Sequence, residues 1–576
     1  MKSRNWLISL GLAVILVAAF GLPACEPTEQ SGWYTPEGDY ISFELTTIGG
    51  QPGDMGLMVA SDLQDLGLDV EHRVMDSTTF MEYLYQPNLG GMQVYIFGEN
   101  PSADPWSDWI WTLMSDPEGW GYMWNPTWYY DERFEELYYA NYLAANKTAK
   151  QEILFEMQEI LAEDLPMIYM VRPEFISAHR SDNWENWHNQ LGGPVTWINE
   201  WSIREVTPVD DATRYSIGGM TMMPNMNMDH ETLSYSNIGC LYHMIVYENL
   251  AYYAKIDEDL GDAYNFVPKL ATNYSVSYEA DGEGGQNQIW TIELREGVKW
   301  HDYETSGKNL TADDVVYSLK YALNKWDLNK PVNWTAVEED TEWAEIWSEH
   351  VLAEADGDHT VKLAYIDGYH QPEDYVPVWW HWDPIAPKHI FEPDERDPIE
   401  WDGYSIGTGP FKVKEFVPDE YLLLERFDDY WGDLPAAQEV LHEYYVDIGA
   451  MFLALENGDI DIHEWIPVPH SKISTYQADP NIELEIVPDL TIYYLAFNLH
   501  PTQGYEPVQD KVLRQAIAYA VDKQDIVDLV YGGYGGVPDG WVYRESPMHN
   551  PDLPQYTFNL TTARDMLLAA GYTYVE

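Results

Sequence analysis

The chain has 576 residues, with 97 Asp and Glu against 30 Lys and Arg, a formal net charge of -67 and 45% hydrophobic residues. A field of that sign repels phosphate backbones and anionic headgroups, which argues against nucleic acid and acidic lipid as ligands and suits a saline setting where ions screen the self-repulsion. Two cysteines, Cys25 and Cys240, leave no disulfide framework and no cysteine-rich metal centre, while the length suffices for roughly two or three domains.

In chain order, Lys2 and Arg4 precede an apolar run over 6–22, closed by Leu22-Pro23-Ala24-Cys25. A basic start, a short greasy core and a small-residue exit predict an export signal over 1–25 rather than a membrane span. The cysteine at its end resembles the lipobox of prokaryotic lipoproteins, although Pro23 departs from the usual residue. That resemblance implies lipid attachment at Cys25 and an extracytoplasmic, membrane-anchored mature chain. Residues 26–40 read as a polar tether. Strand 41–48, a helix over 55–66 stopped by Gly67, and strand 68–74 make a β-α-β unit. A helix over 79–85 and a strand over 92–97 follow. Apolar residues at helical spacing predict helices over 130–144 and 149–162, ended at Asp164-Leu165-Pro166, with a strand over 167–171 behind them. Residues 205–213 read as a linker.

Farther on, strands are expected over 290–294 and 411–416. A helix over 312–324 opens with Thr311 and Asp314 spaced as a capping box. Helices over 512–519 and 562–570 close the chain, the last capped by Gly571. Strands and helices mix without strict alternation, an α/β pattern.

The 25 Trp and 43 Tyr combine flat apolar faces with polar handles, as surfaces that grip organic ligands do. Trp106 and Trp109, beside Asp104, share a face if their segment is helical. A Trp face beside carboxylates stacks on sugars or holds ammonium groups. Trp380 and Trp382 lie in a second aromatic run, where adjacent side chains on a strand point to opposite sides. Core packing is the competing reading for each of them. Enzyme signatures are lacking: no nucleophile elbow stands out, and neither His-Glu-x-x-His nor a phosphate-binding loop occurs. Carboxylate pairs for glycoside hydrolysis are so abundant that they carry no information. His301 and Asp302, adjacent on a strand, point apart, and His389 reads as structural. No enzyme, cofactor or metal is therefore expected, with a glycoside hydrolase as the remote alternative.

Several stretches resemble one family, the extracytoplasmic solute-binding proteins of the peptide/nickel class (solute-binding family 5). They are Leu294-Arg295-Glu296-Gly297-Val298-Lys299-Trp300-His301-Asp302, Leu310-Thr311-Ala312-Asp313-Asp314-Val315-Val316-Tyr317-Ser318, Gly407-Thr408-Gly409-Pro410-Phe411, Ala454-Leu455-Glu456-Asn457-Gly458-Asp459-Ile460-Asp461, and Leu495-Ala496-Phe497-Asn498 with Leu513-Arg514-Gln515-Ala516-Ile517. They occur in the family's order over 214–576. What the family carries after Ala569-Ala570-Gly571-Tyr572 resembles the front of this chain, from Gly38 through Asp104-Pro105 to Glu163-Asp164-Leu165-Pro166. Read as 206–576 followed by 26–205, the chain is expected to be one binding protein, circularly permuted. A fusion of two genes is the competing explanation. Permutation requires Glu576 to meet the 31–40 segment and strand 41–48 to pack beside the 562–570 helix.

The resemblance implies a two-lobed periplasmic-binding-protein-like fold of the class II, cluster C type with hinge strands. One lobe would hold 214–490, the 206–213 linker and part of 166–205. The other would hold 500–576 and 41–165, with hinges at 491–499 and 167–171. It further implies a receptor of an ABC importer that closes on an oligopeptide or dipeptide and serves permease and ATPase subunits. An oligosaccharide is the rival ligand, and nickel or haem is also carried in this family. Peptide binders place an aspartate three residues before Asp104, but Pro101 stands there, so Glu99, Asp104 or a backbone carbonyl would take over the ligand's amine. Tyr317 matches an aromatic near the family's pocket. The ligand-binding candidates are thus Glu99, Asp104, Trp106, Trp109, Tyr317, Trp380 and Trp382.

Overall fold

The computed structural model describes residues 30–84, 91–99, 125, 127–142, 144, 146–189, 193–195, 199–220, 242–252, 255, 266–281, 285–325, 351–366, 370, 384–392, 404–464, 466–489, 491–544 and 546–576. The expected signal and Cys25 lie outside them, as do Cys240, Pro101, Asp104, Trp106, Trp109, Trp380 and Trp382.

The front of the chain builds the β-α-β unit that its periodicity predicts. Strands Ser42–Ile48 and Asp69–Met75 pair in parallel, Ser42 opposite Asp69, across helix Gln51–Leu66. That helix begins four residues before the expected start because Pro52, pre-set for a helical first turn, takes up its N-terminus. It stops at Gly67, whose φ of 105° only glycine adopts without strain.

Strand Met167–Arg180 is far longer than the expected 167–171 and organises the molecule. Pro173 reads in sequence as a strand breaker, yet here its carbonyl accepts from the Asp489 N–H, so the ladder continues past it. Its first part pairs antiparallel with Ile492–Phe497 and its later part with Ile482–Pro488. Among the described residues, the largest sheet therefore runs from Phe411–Val417 and Tyr421–Arg426 through Glu439–Tyr444, Arg214–Gly219 and Ile462–His463 to this strand. It continues through Ile492–Phe497 and Val94–Glu99 to the front β-α-β unit. A separate four-stranded sheet, in the order Ala271–Ala280, Gln286–Leu294, Thr360–Tyr365 and Val351–Ala355, has its own core around Trp290, Ile292, Trp300 and Val315.

The two ends of the described chain meet. Gly32–Tyr34 pairs antiparallel with Thr573–Val575, Gly32 opposite Val575. Trp33, 2% exposed, packs on the Tyr574 ring at 5.3 Å and donates its indole N–H to the Leu66 carbonyl at 2.9 Å. Helix Leu560–Ala569 beds on helices Gln51–Leu66 and Lys511–Ala520, with Arg564 donating to the Asp65 carbonyl at 2.6 Å. The expected direct neighbour, strand 41–48, reaches it through helix Gln51–Leu66.

The quoted motifs are joints. His301 Nδ1 accepts from the Gly407 N–H at 3.2 Å and Nε2 bonds the Gly409 carbonyl at 2.9 Å, a pairing that requires the neutral ring. Burial accordingly pushes its pKa down to about 4. The glycines are needed because a Cβ at Gly407 would lie 1.9 Å from the Val246 carbonyl oxygen, and one at Gly409 2.2 Å from that of Ile245. Gly407→Ala is expected to destabilise the fold by about 3 kcal/mol or more, read from urea unfolding, because backbone has to move. Asp302 pairs with His389 at 3.1 Å. The capping box is half formed. Asp314 Oδ2 accepts from both the Thr311 N–H and its hydroxyl, while the Asp314 N–H goes to the Thr311 carbonyl. Asp461 receives Asn183 and the Ser216 N–H, and Arg180 donates to the Leu455 and Glu456 carbonyls.

Two further joints hold sequence-distant segments together. Lys269 bonds both Glu200 oxygens at 2.8 and 3.0 Å, and Arg204 bridges Glu200 and Glu248. Arg514 sends Nε and Nη2 to the carbonyls ending helix Lys147–Asp164, and Nη1 to those of Val508 and Gln509.

Candidate functional site

Two strands cross between the halves of the large sheet, and they run side by side. Ile482–Pro488 and Ile492–Phe497 follow one another along Met167–Arg180, with Pro488 opposite Glu174 and Tyr493 opposite Val171. The register is not continuous between these pairs and shifts again between Tyr493 and Tyr494, so Arg172–Pro173, Asp489 and Thr491 form a waist where the ladder is irregular, as at a bulge. Asp489 steadies it by accepting from the Thr491 N–H and donating its own N–H to the Pro173 carbonyl. The Tyr543 hydroxyl donates to the Asp489 carbonyl, and Gly535–Gly536 pairs with Arg172–Pro173.

The central row is Val171, Tyr493 and Gly98. The Tyr493 ring lies over Gly98, where a Cβ would come within 2.4 Å of it, and packs against Tyr531. Glu99, opposite Ile492, and Arg172, next to Val171, fall on the other face by strand alternation. There Trp541 stands 5.5 Å from the rings of both Tyr169 and Tyr494. The Arg172 guanidinium lies 3.8 Å over the Tyr543 ring and donates Nη2 to the Trp541 carbonyl at 2.6 Å. Among the described residues, the buried Glu99 Oε2, Arg172 Nη1 and Trp541 Nε1 have no hydrogen-bond partner here.

Burial pushes the Glu99 carboxyl up to about 7, opposed only by the Tyr494 hydroxyl beside it. A carboxyl raised in the folded state favours folding fully below its unfolded pKa and loses that contribution as pH rises through the folded value. Stability is thus expected to fall by about 2–3 kcal/mol between pH 4.5 and 7.5 on account of this group. Glu99→Gln should flatten that segment of a pH–stability profile, and an unchanged slope would show that Glu99 is solvated.

Of the predicted ligand residues, the structure brings Glu99 to the waist. Tyr317 is 9% exposed and packs in the main hydrophobic core. Asp104, Trp106, Trp109, Trp380 and Trp382 lie outside the described residues. Arg172, Trp541, Tyr543 and Asp489 were missed, and the one local signal was Arg172 itself, a lone cation following the apolar run 167–171. Among the described residues, no group of three His, Cys, Asp or Glu is arranged to hold a metal, and no helix is long and apolar enough to cross a membrane.

The family described as "Bacterial extracellular solute-binding proteins, family 5 Middle" matches residues 265–576, more than half of the chain. The oligopeptide-binding protein AppA of Bacillus subtilis is 30% identical over 326 residues, covering 54% of this chain and 54% of its own. The dipeptide-binding protein of Escherichia coli is 28% identical over 314 residues, 53% of this chain and 55% of its own. The chain spans about half the length of the curated relatives it matches. The solved structure of B. subtilis AppA in complex with a nonapeptide aligns with a TM-score of 0.42 at 23% identity, covering 62% of this chain and 66% of that one.

Proposed function

Because the chain belongs to the bacterial extracellular solute-binding proteins of family 5, we propose that it is the extracytoplasmic receptor of an ABC importer, closing two lobes on an oligopeptide or dipeptide. Members of this family are substrate-binding proteins of transporters rather than enzymes. The names of the two relatives support a peptide over the oligosaccharide that the tryptophan content suggested. One structural observation carries the reading. Two crossover strands pair antiparallel with one long strand at a waist where the register shifts, and among the described residues a buried carboxylate oxygen of Glu99 is left unpartnered beside it. Glu99 takes the ligand's ammonium group in place of the aspartate that Pro101 replaces. Ligand favours closure only through contacts better made in the closed state, and a group on the waist touches both lobes' movement. Permease and ATPase subunits are the partners, and Cys25 carries the tether.

The segment order is read as transposed, with 26–205 taking the place that follows Tyr572 in the family. The pairing of Gly32–Tyr34 with Thr573–Val575 and the entry of Val94–Glu99 beside Ile492–Phe497 support this order. The lobe boundaries given from sequence remain the proposed ones, with the hinges at 491–499 and 167–171.

Calorimetric titration of the purified protein with a tryptic peptide pool and, separately, with an oligosaccharide pool tests the ligand class. Heat from the peptides alone is expected. Heat from the sugars alone would replace the peptide reading with its rival.

A further inference from the structure

Asn146, Asn273, Asn309, Asn333 and Asn559 each open an Asn-x-Ser/Thr tripeptide without proline at its centre. That tripeptide is the acceptor for N-glycans on exported chains, and the family to which this chain belongs is extracellular. We propose that Asn146, Asn273 and Asn559 carry N-linked oligosaccharides. So short a motif recurs by chance, and only its placement in the fold separates an acceptor from a coincidence.

Asn333 lies outside the described residues, and the other motif asparagines are all exposed. Of the remaining asparagines whose exposure is described, three are exposed, Asn186, Asn457 and Asn481, while six are buried. Exposure therefore follows the motif rather than the residue type. Asn125 provides the contrast. It begins Asn125-Pro126-Thr127, which the central proline disqualifies, and it is buried with Nδ2 donating to the Tyr129 carbonyl. Asn309 stands apart, since Leu310 is fully buried and the Thr311 hydroxyl donates to Asp314.

At Asn146 and Asn559 the side chain caps a helix. Oδ1 accepts from the Ala149 N–H in one and from the Thr562 N–H in the other, each at 3.0 Å. The cap engages the carbonyl half of the amide and leaves Nδ2, the atom a glycan joins, on the opposite side of Cγ. A sugar there preserves both caps. Thr148 and Thr561, whose hydroxyls complete these motifs, are exposed as well. Asn273 and Ser275 are exposed on strand Ala271–Ala280, which ends the four-stranded sheet among the described residues. The register breaks between Ala271 and Asn273, and the whole strand carries one charge, Glu279. An edge with so little charge invites pairing with another chain, and a bulky hydrated sugar beside it obstructs that approach.

In the transfer, Nδ2 bonds to the anomeric carbon of an oligosaccharide carried on a polyprenyl phosphate. The carbon–oxygen bond to the phosphate breaks and the lipid phosphate leaves with the electron pair. Nδ2 gives one proton to a base of the membrane transferase.

Glycopeptide mass spectrometry of the protein purified from its source cells tests this. Peptides bearing Asn146, Asn273 and Asn559 are expected to carry the mass of a sugar chain, localised to the asparagine. Thr148→Ala, Ser275→Ala and Thr561→Ala keep each asparagine, and each should abolish occupancy at its own site alone. Thr561→Ser should retain it. Bare asparagines at all three sites in the wild type would overturn the proposal, whichever ligand the receptor takes. So would sugar that persists once the hydroxyl is removed.

Discussion

Lys269→Met is expected to destabilise the protein by about 3–5 kcal/mol, because it breaks a sealed ionic cluster on one side only. Lys269 and Glu248 are both 0% exposed and Glu200 1%, so no water replaces the lost partner. Two cations, Lys269 and Arg204, face two anions, Glu200 and Glu248, and every oxygen of the pair is occupied. Tyr430 and Trp431 each donate to Glu248 at 2.8 Å, and Thr408 does so at 3.1 Å. Burial pushes the Glu248 carboxyl up and the Lys269 ammonium down, each opposed by its charged neighbours. Removing Lys269 turns a balanced cluster into one with an excess negative charge. Glu248 also holds a φ of 81°, a backbone strain the cluster has to sustain. Glu200→Gln removes the opposite charge, so the double variant should cost less than the sum of the two singles. Urea unfolding of the four proteins measures this. Strict additivity would mean that the cluster is solvated.

Arg514→Ala should cost a similar amount, about 3–5 kcal/mol, for a different reason. Four carbonyls, of Asp164, Leu165, Val508 and Gln509, lose their donor at once. Two of them end helix Lys147–Asp164, where a cation also offsets the negative pole of the helix. Arg514→Lys should recover less than half, since a single ammonium cannot reach both sides as a planar guanidinium does. Hydrogen exchange adds a spatial readout. Amides of helix Lys147–Asp164 should lose protection together with those of helix Lys511–Ala520, some 350 residues away in sequence. Loss confined to the second helix would show that the joint is superficial.

These joints explain why the motifs were legible before their roles were. The Gly407-Thr408-Gly409 run stood out, but that it threads past the Ile245 and Val246 carbonyls depends on a contact no local pattern announces. Helix Gln51–Leu66 was readable because its apolar residues recur at helical spacing and Gly67 stops it. Strand Met167–Arg180 was under-read because Pro173 looks like an end, and only the neighbouring strand supplies the donor that keeps it in the sheet. Glu99 was singled out through its place ahead of Asp104-Pro105. Arg172 and Trp541 were not, since their meeting spans 369 positions and is set by register across three strands. Tyr317 sits on an amphipathic helix, where spacing tells buried from exposed but not core from cleft, and it lies in the core.

Small-angle X-ray scattering of the full chain, free and saturated with peptide, bears most directly on closure at the waist. A smaller radius of gyration in the loaded protein is the predicted result. Identical scattering curves, with peptide demonstrably bound, would contradict the account.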